Sequence, residues 1–198
     1  GDALKRYQRD TLLARGVPEA RWTFDPLEAR NARLNLSRLG GIARRYLRDY
    51  YGDSDSVLHA GLGTDRLLLE WHLGAARVVD RLDRRTAPPP LDAVLRLPAA
   101  LEAVGPPDAP RPGEPRRPDD AGPVRLAVPA RIQQLKAADP GLAQAWRVAV
   151  RTAFELLFAE GHEARELAPA DGTGWCVFEP VDGHPRPRRA AAGPAAQR

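Results

Sequence analysis

Methionine is missing from all 198 residues, position 1 included, and the chain has one cysteine and two lysines. The first absence means the sequence does not open where translation normally opens, so it reads as a fragment, a processed form or a mis-assigned start. The second rules out an intrachain disulfide, because Cys176 has no partner, and makes a cytoplasmic location the expectation. The third places nearly all positive charge on arginine: net charge is +4, and Lys5 and Lys136 are the only lysines. A GC-rich coding bias accounts for that as readily as a demand for guanidinium groups.

Long apolar runs are also lacking. Charge interrupts every hydrophobic stretch well before the roughly 18 residues a membrane helix needs, so no membrane-spanning segment is expected. The charged opening "GDALKRYQRD" does not read as a signal peptide. No GxSxG, Walker loop or GxGxxG occurs, which leaves hydrolase, P-loop NTPase and dinucleotide-binding readings without their signatures. His59, His72, His162 and His184 lack metal-ligand spacing, so no metal is expected. Basic and acidic residues are interspersed rather than sorted to one face, which argues against nucleic acid as the main partner.

What is there fits a globular domain with extra chain. The composition is 43% hydrophobic and 28% charged, with 20 prolines and 17 glycines, more of the last two than one compact core needs. Residues 2 to 15 carry Ala3, Leu4, Tyr7, Thr11, Leu12 and Ala14 at roughly helical spacing, and Gly16 is placed to stop the helix. "EARWTF" (19 to 24) alternates as a strand. Pro26 suits the first turn of a second helix whose apolar face is Leu27, Leu34, Leu36 and Leu39, ended by Gly40-Gly41.

"IARRYLRDYYG" (42 to 52) fits a strand or a short helix, and "DRLLLEWHL" (65 to 73) a central strand. Residues 74 to 123 are dominated by proline and charge and read as a linker or insertion with one short helix near 91 to 104. A strand from 124 leads through Pro129 into a helix. Asp139-Pro140 then opens a longer helix with Leu142, Trp146, Val150, Phe154, Leu157 and Phe158 on one side and Gly161 at its end. "HEARELA" and "GWCVFEP" flank Asp171-Gly172 as a hairpin. Residues 181 to 198 read as a basic disordered tail. The expected class is α/β: a mixed sheet with flanking helices over 1 to 73, and a small C-terminal α+β extension over 124 to 180.

Two arginine groups invite functional readings. Arg44, Arg45 and Arg48 lie among Tyr46, Tyr50 and Tyr51, an arrangement that suits phosphate and stacked bases. The nearby Asp49, Asp53 and Asp55 favour a solvated face instead. Arg147 and Arg151, four apart on the long helix, read as a solvated or ion-paired face.

The stretch "GDALKRYQRDTLLARGVPEARWTFDPLEARNARLNLSRLGG", with "YYG" and "DRLLLEWHL" after it, resembles the second half of a GNAT-superfamily acyltransferase of a bacterial branch. "DPGLAQAWRVAVR" resembles that branch's C-terminal extension. The resemblance implies a sheet that binds acetyl-coenzyme A where two strands splay apart, a glycine turn at a helix N-terminus for the pyrophosphate, and a helix asparagine near the pantetheine arm. Carried onto this chain, Gly1 and Asp2 fall at the end of the phosphate turn, and Asn31 with Asn35 are the cofactor-arm candidates. The superfamily's usual tyrosine position falls on Leu36, leaving Tyr46 as the candidate acid. Asp25 and Arg66, at the strand ends, are the substrate-binding candidates.

The implied function is transfer of an acetyl group from acetyl-CoA to a small-molecule or peptide amine acceptor, with a homodimer as a candidate assembly. Because the chain opens inside the phosphate turn, its own activity is expected to be weak or absent. The reading in a different class is a non-catalytic basic module for nucleic acid or another acidic partner.

Overall fold

A computed structural model describes residues 2–52, 62–117 and 122–181. Gly1 and the tail beyond Val181 lie outside the described residues. Asp2 begins helix α1, which runs Asp2–Ala14. Gly16 closes it at φ +73°, a left-handed conformation that costs glycine nothing. The face that packs is not the one the spacing suggests. Leu4 and Tyr7 are about 70% exposed (69% and 70%), while Leu12 and Leu13 pack on Trp71, Leu73 and Val78. The helix is held by polar groups as much as apolar ones, with the Arg9 Nε donating to the Leu73 carbonyl at 2.7 Å.

Strand β1 (Glu19–Phe24) ends at Asp25. Pro26 lies in the turn before the next helix rather than inside it. The turn is set by Asp25 itself, whose Oδ1 accepts from the Leu27 N–H at 2.8 Å, a short side-chain loop that replaces a backbone turn bond. Helix α2 is only Ala29–Ala32 and widens into a π-helical segment, Arg33–Arg38. The Leu39 N–H reaches back to Leu34 at 2.9 Å. Of the predicted apolar face, Leu27, Leu36 and Leu39 are fully buried.

Residues 42 to 52 resolve as a strand, β2 (Ile42–Leu47), and β3 (Arg66–His72) follows. β3 inserts between its two predecessors: it pairs antiparallel with β1 from Glu19↔His72 to Phe24↔Leu67, and with β2 from Ile42↔Glu70 to Leu47↔Arg66. Buried on both sides, it is apolar along most of its length, as a central strand must be.

Residues 74 to 123, expected as a linker, hold structure instead: α3 (Ala76–Leu82), α4 (Leu91–Leu95), β4 (Ala99–Leu101), and the small ribbon of β5 (Ala103–Val104) and β6 (Arg111–Pro112). The prolines stand mostly in connections, while Val94, Ala100 and Leu101 are buried and tie the segment down. The Trp146 indole N–H donates to the Pro110 carbonyl at 2.7 Å, adding a polar anchor.

The remaining elements are β7 (Val124–Pro129), α5 (Ile132–Ala138), α6 (Pro140–Ala159), β8 (His162–Pro169) and β9 (Thr173–Pro180). Asp139 caps α6 as predicted, accepting from the Leu142 N–H at 2.9 Å. β8 and β9 form the predicted hairpin, turning at Asp171-Gly172. These strands do not make a separate unit. The seven-stranded order is β1-β3-β2-β8-β9-β7-β4, antiparallel throughout except for β4 against β7. The chain is α/β, a mixed sheet flanked by helices.

Register places the core. Ala43 faces Leu69 and Ala164, and Ala164 faces Phe178, so all four share one side of the sheet. On that side Phe178 meets Phe154 and Phe158 of α6, with ring centroids 4.9 and 5.9 Å away. Helix α2 packs on the sheet near β8 and β9, with the Ala29 methyl close to Gly174. Among the described residues no helix is long and apolar enough to cross a membrane.

Candidate functional site

The residues singled out in the sequence gather in two places, one built of amides and one of ions. The amide group starts from β1. The Trp22 indole N–H donates to Asn35 Oδ1 at 3.3 Å, and Asn35 Nδ2 donates to Asn31 Oδ1, also at 3.3 Å. Asn35 is buried, at 2% exposure. It sits in the π-helical segment, a distortion that often marks functional positions because the widened turn re-aims a side chain. Asn31 lies one turn earlier and is exposed. Its oxygen accepts from Asn35. β1 is the terminal strand, and among the described residues no strand pairs with its outer edge.

The ion group forms where β1, β2 and β3 end. Arg147, from the second turn of α6, is 1% exposed, and its two Nη atoms reach the two Asp25 oxygens at 2.9 and 2.7 Å. Its Nε donates to the Leu62 carbonyl at 2.9 Å. Arg66 approaches Asp25 at 3.5 Å, donates to the Asp65 carbonyl at 2.9 Å, and lies over the Tyr51 ring. One helical turn on from Arg147, Arg151 grips Asp65 through Nε and Nη2 at 2.7 and 2.8 Å. The Tyr46 hydroxyl donates to the same carboxylate at 2.7 Å, and the Asp49 N–H at 3.0 Å.

Burial pushes the Tyr46 phenol well above its ordinary value, and the Asp65 charge adds to this; Arg147 opposes both. Tyr46 therefore holds its proton against Asp65. Asp65 is fully buried, which would raise its pKa, yet its bonds from Arg151, Asp49 and Tyr46 hold it below the usual carboxylate range. Desolvation opposes the charge of Arg147, but Asp25 keeps its pKa raised. With every carboxylate committed to a guanidinium, this group positions chain segments and offers no free base near neutral pH.

The two predicted substrate binders, Asp25 and Arg66, are thus brought together with each other and with Tyr46, but inside the ion network rather than beside the amides. The sequence suggests a solvated or ion-paired face for Arg147 and Arg151; both are ion-paired, and Arg147 is buried. A guanidinium amid Trp146, Val150 and Phe154 was the available signal, since a charge on the apolar side of a helix needs a buried partner. Arg44 pairs with Glu70 at 3.2 Å and Glu163 at 2.7 Å, and Arg48 chelates Glu155 at 2.5 Å through both Nε and Nη2. Those contacts commit Arg44 and Arg48 to carboxylates, an ion-paired surface where a solvated face was expected. Gly1 and the Asp2 side chain lie outside the described atoms.

The lone Cys176 is buried, and burial first, then Glu166, pushes its thiol far above the ordinary value. Among the described residues no cluster of three or more His, Cys, Asp or Glu could hold a metal ion. No family model matches this chain, and no curated protein or solved structure shows a significant match to it.

Proposed function

We propose that this chain belongs to a GNAT-type N-acyltransferase that moves an acetyl group from acetyl-CoA to an amine acceptor. The observation that carries the reading is the exposed Asn31, linked through Asn35 to Trp22 of β1, a strand whose outer edge no strand covers among the described residues. The pantetheine arm of acetyl-CoA is a short chain with two amide groups. An open strand edge offers it backbone donors and acceptors, and a side-chain amide adds another partner.

The residues present fit one part of the cofactor. Asn31 and Asn35 suit the arm, with Asn35 acting through Asn31 as a positioning residue and Trp22 fixing Asn35 in turn. When bound, the thioester supplies the acyl group: a neutral amine attacks its carbonyl, the C–N bond forms, the C–S bond breaks, and the amine's proton leaves as the thiolate gains one. This chain's contribution is orientation, which is worth much of the barrier when reacting atoms are pre-aligned. Tyr46, whose hydroxyl donates to Asp65, serves in this reading as a positioning residue rather than as the acid.

The test is calorimetric titration of acetyl-CoA into the longest natural polypeptide containing this chain, with Asn31→Ala alongside. Saturable binding that weakens in the variant, followed by amine-dependent release of free thiol, supports the reading. No heat at saturating acetyl-CoA sinks it.

A further inference from the structure

β8 has a strand beside it along one edge and at a single residue along the other. β9 pairs with it from His162↔Pro180 to Pro169↔Gly174, whereas β2 meets it only at Ala43↔Ala164. Past that pair the second edge is closed by side chains. The Ser37 hydroxyl accepts from the Leu167 N–H at 2.8 Å and donates to the Leu167 carbonyl at 3.3 Å, with Ser37 1% exposed. One hydroxyl thus does for Leu167 what a paired residue does in an antiparallel ladder, taking its donor and its acceptor together. Two residues earlier, Arg77 Nη2 donates to the Arg165 carbonyl at 2.6 Å and to the Leu36 carbonyl at 3.4 Å. Buried backbone groups need partners. Here the π-helical segment and α3 supply them.

Ser37 belongs to the same six residues as Asn35, the π-helical segment Arg33–Arg38. The widened turn shows in the Leu39 N–H, which bonds the Leu34 carbonyl five residues back at 2.9 Å, and the Gly41 N–H closes on the Asn35 carbonyl at 3.1 Å. π turns are rare beside α turns and stand mostly as single insertions, so this one needs a cause. Its two sides are tied to different parts of the fold. Asn35 accepts from the Trp22 indole and donates to Asn31, while Ser37 meets β8. An α turn holds one residue fewer, and each residue rotates the helix by about 100°. Relaxing the segment to α would therefore turn either Ser37 away from Leu167 or Asn35 away from Trp22.

The far end of the segment cannot absorb that rotation. A Cβ at Gly41 would lie 2.9 Å from Leu69 Cδ1 and 3.1 Å from the Asn35 carbonyl oxygen, so the chain leaving the helix is already pressed against β3. A change at Ser37 is taken up inside the turn that carries Asn35.

We propose that Ser37 is a positioning residue for the asparagine pair: its two bonds to Leu167 hold the turn in its π form and so set where Asn35 and Asn31 lie. Ser37 acts through Asn35 and touches no ligand itself. What the asparagines contact rests on the acyltransferase reading, whereas the link from Ser37 to Trp22 through Asn35 is a property of the fold.

The test follows the Trp22 indole N–H in the full chain by proton–nitrogen correlation spectra and by its exchange with solvent, the signal being assigned with Trp22→Phe. The Trp146 indole, which donates to the Pro110 carbonyl, is the internal reference. In Ser37→Ala the Trp22 signal should shift and its exchange rise by about tenfold or more, the equilibrium equivalent of one lost hydrogen bond, with Trp146 unchanged. Ser37→Cys nearly keeps the volume but bonds weakly; it should give the same result, and it carries the test if the alanine variant does not fold. Ser37→Thr keeps the hydroxyl and should restore the natural signal. A lower melting temperature with the Trp22 signal as in the natural chain marks Ser37 as purely structural and overturns the proposal. Acetyl-CoA titrations on the same samples should show weaker binding in Ser37→Ala and recovery in Ser37→Thr; unchanged affinity in Ser37→Ala overturns the proposal as well. If the natural chain binds no acetyl-CoA, the acyltransferase reading falls alone, and the indole signal still decides the role of Ser37.

Discussion

Arg147 of α6 holds Asp25, the residue that follows β1, by both oxygens, at 2.9 and 2.7 Å across 122 residues of sequence, with the guanidinium 1% exposed. The pair joins the strand that turns into the asparagine-bearing helix to the longest helix of the molecule. It also explains the Asp-Pro break: the carboxylate that turns the chain is the one the helix grips.

Replacing Arg147 by methionine should therefore cost about 3–5 kcal/mol, because Asp25 would remain largely buried with only Arg66 near it. Urea unfolding monitored by tryptophan fluorescence measures this. The double change Arg147→Met with Asp25→Asn should recover part of the loss, and strict additivity of the two single changes would show that the pair is not coupled.

Tyr46→Phe separates a positioning tyrosine from a catalytic one. Losing one hydroxyl donor to a carboxylate that keeps Arg151 and Asp49 should cost about 1–2 kcal/mol of stability. In the acyltransferase reading the rate of thiol release should stay within a few-fold of the natural chain, whereas loss of a general acid would lower it by about 10²–10⁴.

Acid should weaken the molecule through Asp65. Its folded pKa lies below the unfolded value of 3.8, so its contribution is fully present above that value and is lost as pH falls through the folded pKa. Stability measured from pH 5 down to about pH 2 should drop, and Asp65→Asn should flatten that drop while lowering stability at pH 7.

The two asparagines should part company. Asn31→Ala should leave stability within about 0.5 kcal/mol, as exposed substitutions do. Asn35→Ala should cost about 1–3 kcal/mol by leaving the Trp22 N–H unpaired. Weaker acetyl-CoA binding in Asn31→Ala at unchanged melting temperature would mark a contact with ligand rather than with the fold.

Gly172 should not tolerate a side chain. It sits at φ +67°, and a Cβ there would lie 2.1 Å from the Pro107 carbonyl oxygen. Gly172→Ala should cost on the order of 3 kcal/mol or more from strain and overlap together, visible as a lower urea midpoint.

Much of this architecture was legible in local chemistry. "EARWTF", Asp139-Pro140, Asp171-Gly172 and Gly16 each carry their own instruction: alternation, a cap with a first-turn proline, a hairpin turn, a left-handed stop. What was not legible depends on distant partners. The proline-rich segment looks like a spacer because three buried apolar residues, Val94, Ala100 and Leu101, are too few to register as a pattern. The buried face of α1 was misjudged because Leu4 and Tyr7 have helical spacing but nothing among the described residues to pack on. Within the site, Asn31 and Asn35 could be placed on one side of a helix by their four-residue interval. That Trp22 orients them, that the helix widens at Asn35, and that Arg147 is buried could not be read without the fold. The Ser37 hydroxyl closes residues 33 to 38 onto Leu167 of β8, a contact no local signal announces.

One joint in the sheet is only a residue deep. β2 and β8 share the single registered pair Ala43↔Ala164, so residues 19 to 72 and 99 to 180 form two half-sheets that barely touch through their backbones. Side chains bridge the gap instead: Arg44 to Glu163, Arg48 to Glu155, Asp25 to Arg147, Asp65 to Arg151. Beneath them one apolar core runs from Phe24, Ala43 and Leu69 to Phe154, Ala164 and Phe178. The halves are thus joined by their faces and not by their edges, and what a strand ladder would do elsewhere is done here by packing.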